Sequence, residues 1–215
     1  MNKTIGIYGG AFDPVHIGHL NSAWELTQEL PLDTIHFIPS AEPAYQKPVK
    51  ATPIGSSADR IAMLKLAIEH EPKWQVDDRE IKRGGKSYSV DTLLSLRSEF
   101  PKARLCLILG MDVASTLHTW HRWQELWKLA HIIVMTRPNY SLPNADWLTE
   151  LKQRQMSDPN ALRTESSGGV WWQPITPLSI CSTQIRESCS KNQIPRFLLP
   201  EKVIHYIKTK QLYQD

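Results

Sequence analysis

Residues 9–19 read GGAFDPVHIGH, and the residue types in this stretch could hold an anion. Gly9 and Gly10 close a strand-like run, TIGIYGG, and a glycine pair lets backbone N–H groups come close to a negative ligand. Asp13-Pro14 is placed to open the following helix or to serve the turn before it. His16 and His19 are three apart, so they share one face of that helix within its first turns. The backbone donors of a helix start point into the same space, and the combination describes a phosphate site. A helix terminus contributes only about 0.3–1 kcal/mol toward an exposed anion, so a polyphosphate needs side-chain donors as well. Histidine donates whether neutral or protonated, and an ordinary pKa of about 6.5 leaves both states within reach. Taken alone, a glycine pair is also an ordinary turn, and a single histidine is more often a packing residue. HxxH is half of some metal sites, but the chain has no HExxH and no clustered Cys/His partners.

A second stretch with phosphate chemistry lies near the other end, SICSTQIRES at 179–188. Small hydroxyl residues precede helical sequence, and Arg186 falls one turn inside. Ser182 and Thr183 can cap that helix and supply hydroxyls, while a guanidinium binds phosphate oxygens in pairs. By itself this is an N-cap with a surface arginine. Two such helix starts on one sheet describe a nucleotide site between them.

The elements that must position these residues alternate between β-rich runs and helical patterns. Strands are expected at TIGIYGG (4–10), TIHFIPS (34–40), near WQVDDRE (74–80), at RLCLILG (104–110), HIIVMTRP (131–138) and GVWWQPI (169–175). Helical spacing covers 17–30, 58–70, about 89–100 with serines available as caps, and roughly 182–190 and 200–211. Residues 139–168 are polar and irregular, with a helix expected near 145–155. AEPAYQKPVKATPIGSS (41–57) is a proline-rich loop, long enough to suggest a functional role. RLCLILG is almost uniformly apolar, as expected of a parallel strand covered on both faces. The alternation implies an α/β fold, a parallel sheet with helices on both faces, whose ligand crevice lies beyond the strands' carboxyl ends.

The 215 residues suit one domain, 1–215, ending in a helical portion over about 182–215. A 41% apolar and 22% charged composition belongs to an ordinary globular chain with a core. The net charge of +3 suits anionic small molecules and is too weak to indicate nucleic acid. No run approaches the length of a membrane span, and no leader pattern precedes the first strand. Cys106, Cys181 and Cys189 have neither metal nor redox spacing, so a reduced, cytoplasmic chain is expected.

On these residues the chain resembles the nucleotidyltransferase superfamily with the HxGH motif. GGAFDPVHIGH matches its GGxFDPxHxGH pattern and ICSTQIR its ISxTxxR motif. DDREIKRGGKSYSVDTL (77–93), LGMD (109–112), TW (119–120) and RP (137–138) are similar to the bacterial nicotinate-mononucleotide adenylyltransferases in order and spacing, across essentially the whole chain. The resemblance implies a Rossmann-like nucleotidyltransferase fold and adenylyl transfer from ATP to nicotinate mononucleotide, giving deamido-NAD and pyrophosphate in NAD biosynthesis.

Carried over by position, Gly9, Gly10 and Phe12 hold ATP and the mononucleotide phosphate, and His16 and His19 contact the ATP phosphates. Ser182, Thr183 and Arg186 embrace the β- and γ-phosphates. Gly110, Asp112 and Ile180 line the nucleotide, with Asp112 by its sugar. Trp120 stacks on the pyridine ring, Ser89 and nearby backbone N–H groups meet its carboxylate, Tyr88 belongs to the same substrate site, and Arg137 adds a phosphate contact. The mid-chain loop reads PAYQK, with Gln46 where the family commonly has histidine and Lys47 kept as its basic residue. Cys181 stands where a serine is usual, and Ser89 where a threonine is. Mg²⁺ enters with ATP, and no dedicated protein metal site is implied. The HxGH core also fits relatives acting on phosphopantetheine or a nicotinamide nucleotide, or a nucleotide-binding regulator without catalysis. The SYS and TW context favours the nicotinate branch, and the intact histidines and Arg186 favour an enzyme.

Overall fold

RLCLILG shows how a uniformly apolar run becomes a central strand. Leu105, Leu107 and Leu109 enter one apolar cluster, while Cys106 and Ile108 enter another. Successive side chains leave a strand on opposite faces, and here both faces are covered. The same parity sorts Ile132 and Val134 from Ile133 and Met135, and Ile5 and Ile7 from Tyr8.

The computed structural model describes residues 2–44, 54–136 and 147–214. Its strands are β1 (Thr4–Gly10), β2 (Thr34–Pro39), β3 (Glu42–Pro43), β4 (Trp74–Val76), β5 (Lys86–Ser87), β6 (Arg104–Gly110), β7 (His131–Thr136) and β8 (Val170–Pro174). The helices are α1 (Ile17–Glu29), α2 (Ser57–Ile68), α3 (Arg79–Arg83), α4 (Ser89–Glu99), α5 (Met111–Ala114), α6 (Leu126–Leu129), α7 (Trp147–Gln153), α8 (Ala161–Thr164), α9 (Ser182–Ser190) and α10 (Glu201–Thr209). Six strands form one sheet in the order β4-β2-β1-β6-β7-β8, every pairing parallel. Strand order reverses between β1 and β6, which run side by side from Thr4↔Arg104 to Tyr8↔Ile108. This is the expected α/β arrangement, a Rossmann-like parallel sheet between two helical layers.

One layer packs Ala23 and Leu26 of α1, Met63 and Leu64 of α2, Ile185 of α9, and Val203 and Ile207 of α10 in a single cluster with Phe37. The other brings Val90, Leu93 and Leu96 of α4 together with Leu126 of α6 and Leu148 and Leu151 of α7. Pro31 follows the cap of α1, and Pro39 ends β2, so the chain stops both elements where proline geometry requires it. Ser56 caps α2 by accepting from the Asp59 N–H at 3.1 Å.

Three expectations about helix starts need correction. Helix α1 begins at Ile17, so of the two expectations for Asp13-Pro14 the helix start fails and the turn before it holds. Tyr88 and Cys181 occupy the cap positions of α4 and α9, and neither helix has a side-chain cap bond. Ser89, Ser182 and Thr183 therefore lie inside the helices, with their hydroxyls free for other partners. The two-residue ladder between β3 and β5 was not expected, being too short to leave any periodicity.

Candidate active site

Gly10 and Gly110 end the two strands that flank the reversal of strand order, where doubly wound sheets place their ligands. Gly9 and Gly10 remain in the ladder, opposite Ile38 and Pro39, and the turn itself is made by Phe12, whose φ is 48°. A Cβ on Gly9 would meet nothing within 4 Å, so the glycine leaves open space above the strand end. From β6, Gly110 caps α5, and a Cβ there would lie 2.9 Å from the Asp112 carboxylate. Burial, and secondarily the Asp112 charge, push the Tyr8 phenol well above its ordinary range.

His16 is the cap residue of α1, and His19 is the third residue of the helix. Their rings stack, with centroids 3.7 Å apart and planes at 29°. The His16 backbone N–H donates to His19 Nδ1 at 3.3 Å, and the His16 carbonyl accepts from the His19 N–H at 2.9 Å. This reciprocal pair replaces an ordinary Ser or Asp cap. It also assigns the proton of neutral His19 to Nε2, leaving that nitrogen as a donor. The Phe12 ring meets His19 at 5.1 Å and 66°, bracing it from the turn side. His16 Nδ1 is buried with no hydrogen-bond partner among the described residues.

Burial lowers the His16 pKa to about 4, and burial reinforced by the neighbouring His16 holds His19 well below its ordinary value. Both imidazoles are neutral donors near pH 7, so the sequence expectation that either protonation state is accessible does not hold for the unliganded site. A folding consequence follows. Unfolded histidine takes up a proton near its ordinary pKa while the folded His16 resists until about 4. Stability is therefore complete above about pH 6.5 and lost as pH falls toward 4, by about 3 kcal/mol for His16 at about 1.4 kcal/mol per unit. The urea midpoint of the unliganded protein is expected to fall over that window, and to fall less in His16→Gln. Equal slopes in the two proteins would contradict this assignment.

The loop between Gly10 and His16 is held from two other elements. Buried Arg60 of α2 donates to the Ala11 carbonyl at 2.8 Å and to Ser57 Oγ at 3.2 Å. Arg186 of α9 donates to the Asp13 carbonyl at 2.6 Å and to Thr183 Oγ1 at 3.3 Å, and Ser182 Oγ donates to the Pro14 carbonyl at 3.0 Å. A Cβ on Gly18 would lie 3.0 Å from His16 Nδ1 and 3.6 Å from the Ile180 Cβ, so the ICSTQIR strand of sequence packs directly over the start of α1. The imidazoles, Ser182, Thr183 and Arg186 are thus brought to one wall from opposite ends of the chain, Ser182 bonding a residue 168 positions away and Arg186 one 173 away.

On the other side, Tyr88 and Ser89 stand at the start of α4. The Tyr88 ring lies 4.5 Å from His121, the residue after Trp120, so the SYS and TW segments meet. The Trp120 indole is half-buried and donates to Thr116 Oγ1 at 3.3 Å. Trp123 and Trp127 pack edge to face at 6.4 Å within the apolar layer. Lys47 and Arg137 lie outside the described residues, as does Gln46.

Sequence reasoning missed Arg60 and His121. Arg60 was detectable as a charge on the apolar stripe of α2, one turn before buried Met63 and Leu64. It missed as well the buried Glu80, whose carboxylate burial pushes upward in pKa, and which accepts from Thr92 Oγ1 at 2.5 Å beneath the SYS segment. Among the described residues, no group of three or more His, Cys, Asp or Glu side chains could hold a metal ion.

A model of the cytidylyltransferase-like family matches residues 7–188. A protein of Aeromonas salmonicida named "probable nicotinate-nucleotide adenylyltransferase" is 42% identical over 100% of this chain and 99% of its own length. One of Methylococcus capsulatus with the same name is 40% identical over 97% of this chain and 99% of its own. The fold of Plasmodium falciparum nicotinic acid mononucleotide adenylyltransferase, solved in complex with NaAD, matches with a TM-score of 0.70 at 18% identity, covering 99% of this chain and 98% of that one.

Proposed function

The chain belongs to the cytidylyltransferase-like family, among the nicotinate-nucleotide adenylyltransferases, and on that premise we propose that it transfers the adenylyl group of ATP to nicotinate mononucleotide. The products are deamido-NAD, for NAD biosynthesis, and pyrophosphate. The observation that carries the reading is the apposition of two helix starts over one loop, with His16 and His19 on one and Ser182, Thr183 and Arg186 on the other.

In this reading a phosphate oxygen of the mononucleotide attacks the α-phosphorus of ATP in line. A new P–O bond forms as the bond to the α,β-bridging oxygen breaks, and its electron pair leaves on pyrophosphate. The nucleophile is already anionic, so the chain needs no general base. Its contribution is orientation and stabilisation of charge on the leaving group. His19 Nε2–H is a neutral donor at the open end of β1, suited to a phosphate oxygen that gains charge. Two of the five guanidinium N–H groups of Arg186 are committed to Asp13 and Thr183, which orients the others for the β- and γ-phosphates. Gly9, Gly10 and Phe12 shape the loop beneath, while Gly110, Asp112 and Ile180 bound the nucleoside. Lys47 and Arg137 add basic contacts in the same reading.

Mg²⁺ is the divalent ion proposed to accompany ATP. In this reading the ion would come with ATP, and the chain's own basic and hydroxyl side chains would hold the phosphates. The ion's chemistry there is charge neutralisation on the triphosphate. The described residues contain no helix long and apolar enough to cross a membrane, and all three cysteines are free. A cytoplasmic setting is part of the same proposal.

The deciding experiment measures pyrophosphate release from ATP with nicotinate mononucleotide, nicotinamide mononucleotide and phosphopantetheine, each with and without Mg²⁺. Release with the nicotinate acceptor above the other two supports the reading, and preference for another acceptor, or ATP binding without release, overturns it. Trp120→Ala is expected to raise KM for nicotinate mononucleotide about tenfold, within the roughly 1–3 kcal/mol of a base–aromatic stack, while KM for ATP stays put. Equal effects on both substrates would remove the stacking role.

A further inference from the structure

Asp13 has no role in the transfer as described, yet its side chain is among the most elaborately held in the molecule. It is 1% exposed, and a carboxylate is costly to bury unless fully hydrogen-bonded. Its Oδ2 accepts from the Ile54 N–H at 2.7 Å, and its Oδ1 from the Gly55 N–H at 3.0 Å. The third donor is the Tyr213 hydroxyl, at 2.7 Å, from the tail beyond α10. Position 55 has no room for a side chain, since a Cβ would lie 2.5 Å from Asp13 Oδ1 and 3.1 Å from the Tyr213 hydroxyl.

The tail bends to deliver that hydroxyl. Gln211 and Tyr213 both occupy left-handed backbone, with φ of 51° and 62°, a conformation that costs a bulky residue free energy. The hydroxyl is held as a donor, because burial and the adjacent Asp13 charge push its ionisation far above the ordinary tyrosine range. Asp13 in turn carries the carbonyl that accepts from Arg186 Nη1 at 2.6 Å, and its carboxylate stands 3.8 Å from the same nitrogen. Tyr213, Asp13 and Arg186 therefore form one connected unit.

We infer that Tyr213 is a positioning residue for the ATP half of the site: its hydroxyl fixes Asp13, and through Asp13 the place from which Arg186 presents its guanidinium. The inference rests on the proposed role of Arg186 toward the triphosphate. A purely structural tyrosine is available for comparison on α10. Tyr206 donates to Asp59 Oδ1 at 2.9 Å, a hydroxyl–carboxylate bond of the same kind that touches α2 and not the loop.

The test compares Tyr213→Phe with Tyr206→Phe in melting temperature, in steady-state kinetics with ATP and nicotinate mononucleotide, and in calorimetric ATP binding. Tyr213→Phe is expected to lower kcat/KM for ATP about tenfold, the scale of one hydrogen bond to a charged group, with KM for the mononucleotide within about twofold. Tyr206→Phe is expected to lower the melting temperature comparably and leave both kinetic constants in place. Unchanged ATP kinetics in Tyr213→Phe, or the same kinetic loss in both variants, overturns the inference. If the wild type binds ATP but turns over no acceptor, the transfer reading fails, and calorimetry still decides: Tyr213→Phe binding ATP as tightly as the wild type overturns the positioning role. A wild type that binds no ATP overturns both.

Discussion

His19→Ala lowers the rate of pyrophosphate release about a thousandfold at saturating substrates and leaves the fold in place. The size follows from where the donor sits. Removing one donor aimed at developing charge in a water-excluded site typically costs about 10²–10³ in turnover. His19 lies at the upper end because its Nε2–H is held by three constraints: the His16 N–H on Nδ1, the stacked His16 ring and the Phe12 edge. A mobile surface donor would lose less, since water could take its place. The structural cost is smaller, because the His16 carbonyl still accepts from the backbone N–H of residue 19 and the Nδ1 bond is the one hydrogen bond lost, along with the ring contacts to His16 and Phe12. That bond is worth about 1 kcal/mol. Circular dichroism should match the wild type and the melting temperature should fall by a few degrees, while kcat collapses. An unchanged kcat would remove the imidazole from the reaction.

The sheet could be read from the chain because its signals are local. RLCLILG and HIIVMT are apolar on both parities, a pattern that only a strand covered on two sides satisfies at that length. Pro31 and Pro39 stop α1 and β2 by an equally local restriction, carried by one residue and its neighbour. What escaped depends on contacts between distant segments. Helix α1 starts at Ile17, after the cap residue His16, because two histidines hold each other through main chain and ring, which no helix propensity encodes. The turn falls on Phe12 rather than on the glycines because β2 keeps Gly9 and Gly10 in register with Ile38 and Pro39. Ser182 looked like a cap, yet its hydroxyl is drawn to the Pro14 carbonyl, a partner 168 residues away. The neutral state of the histidines likewise follows from burial, which the residue types alone do not disclose.

The same dependence on distant contacts governs Arg186, where the second large effect is expected. Arg186→Ala should lower kcat/KM for ATP about a thousandfold, and Arg186→Lys should recover only a small part of it. Charge alone does not explain the difference, because lysine retains it. The guanidinium satisfies the Asp13 carbonyl and the Thr183 hydroxyl with separate N–H groups while keeping others for phosphate, a fork that an ammonium on a flexible stem cannot reproduce. Lysine would have to choose between the loop and the ligand. Alanine removes the link between α9 and the loop through this side chain, but the Asp13 carboxylate keeps its bonds from Ile54, Gly55 and Tyr213, so it is not left unpaired. The fold should therefore survive, with a loss in melting temperature far smaller than a buried orphan charge would cause. Kinetics for the two variants, read with calorimetric ATP binding, separate the roles. Full recovery by lysine would mean that Arg186 acts as a point charge and that the loop needs no fork. Wild-type kinetics in Arg186→Ala would place the triphosphate elsewhere in the fold.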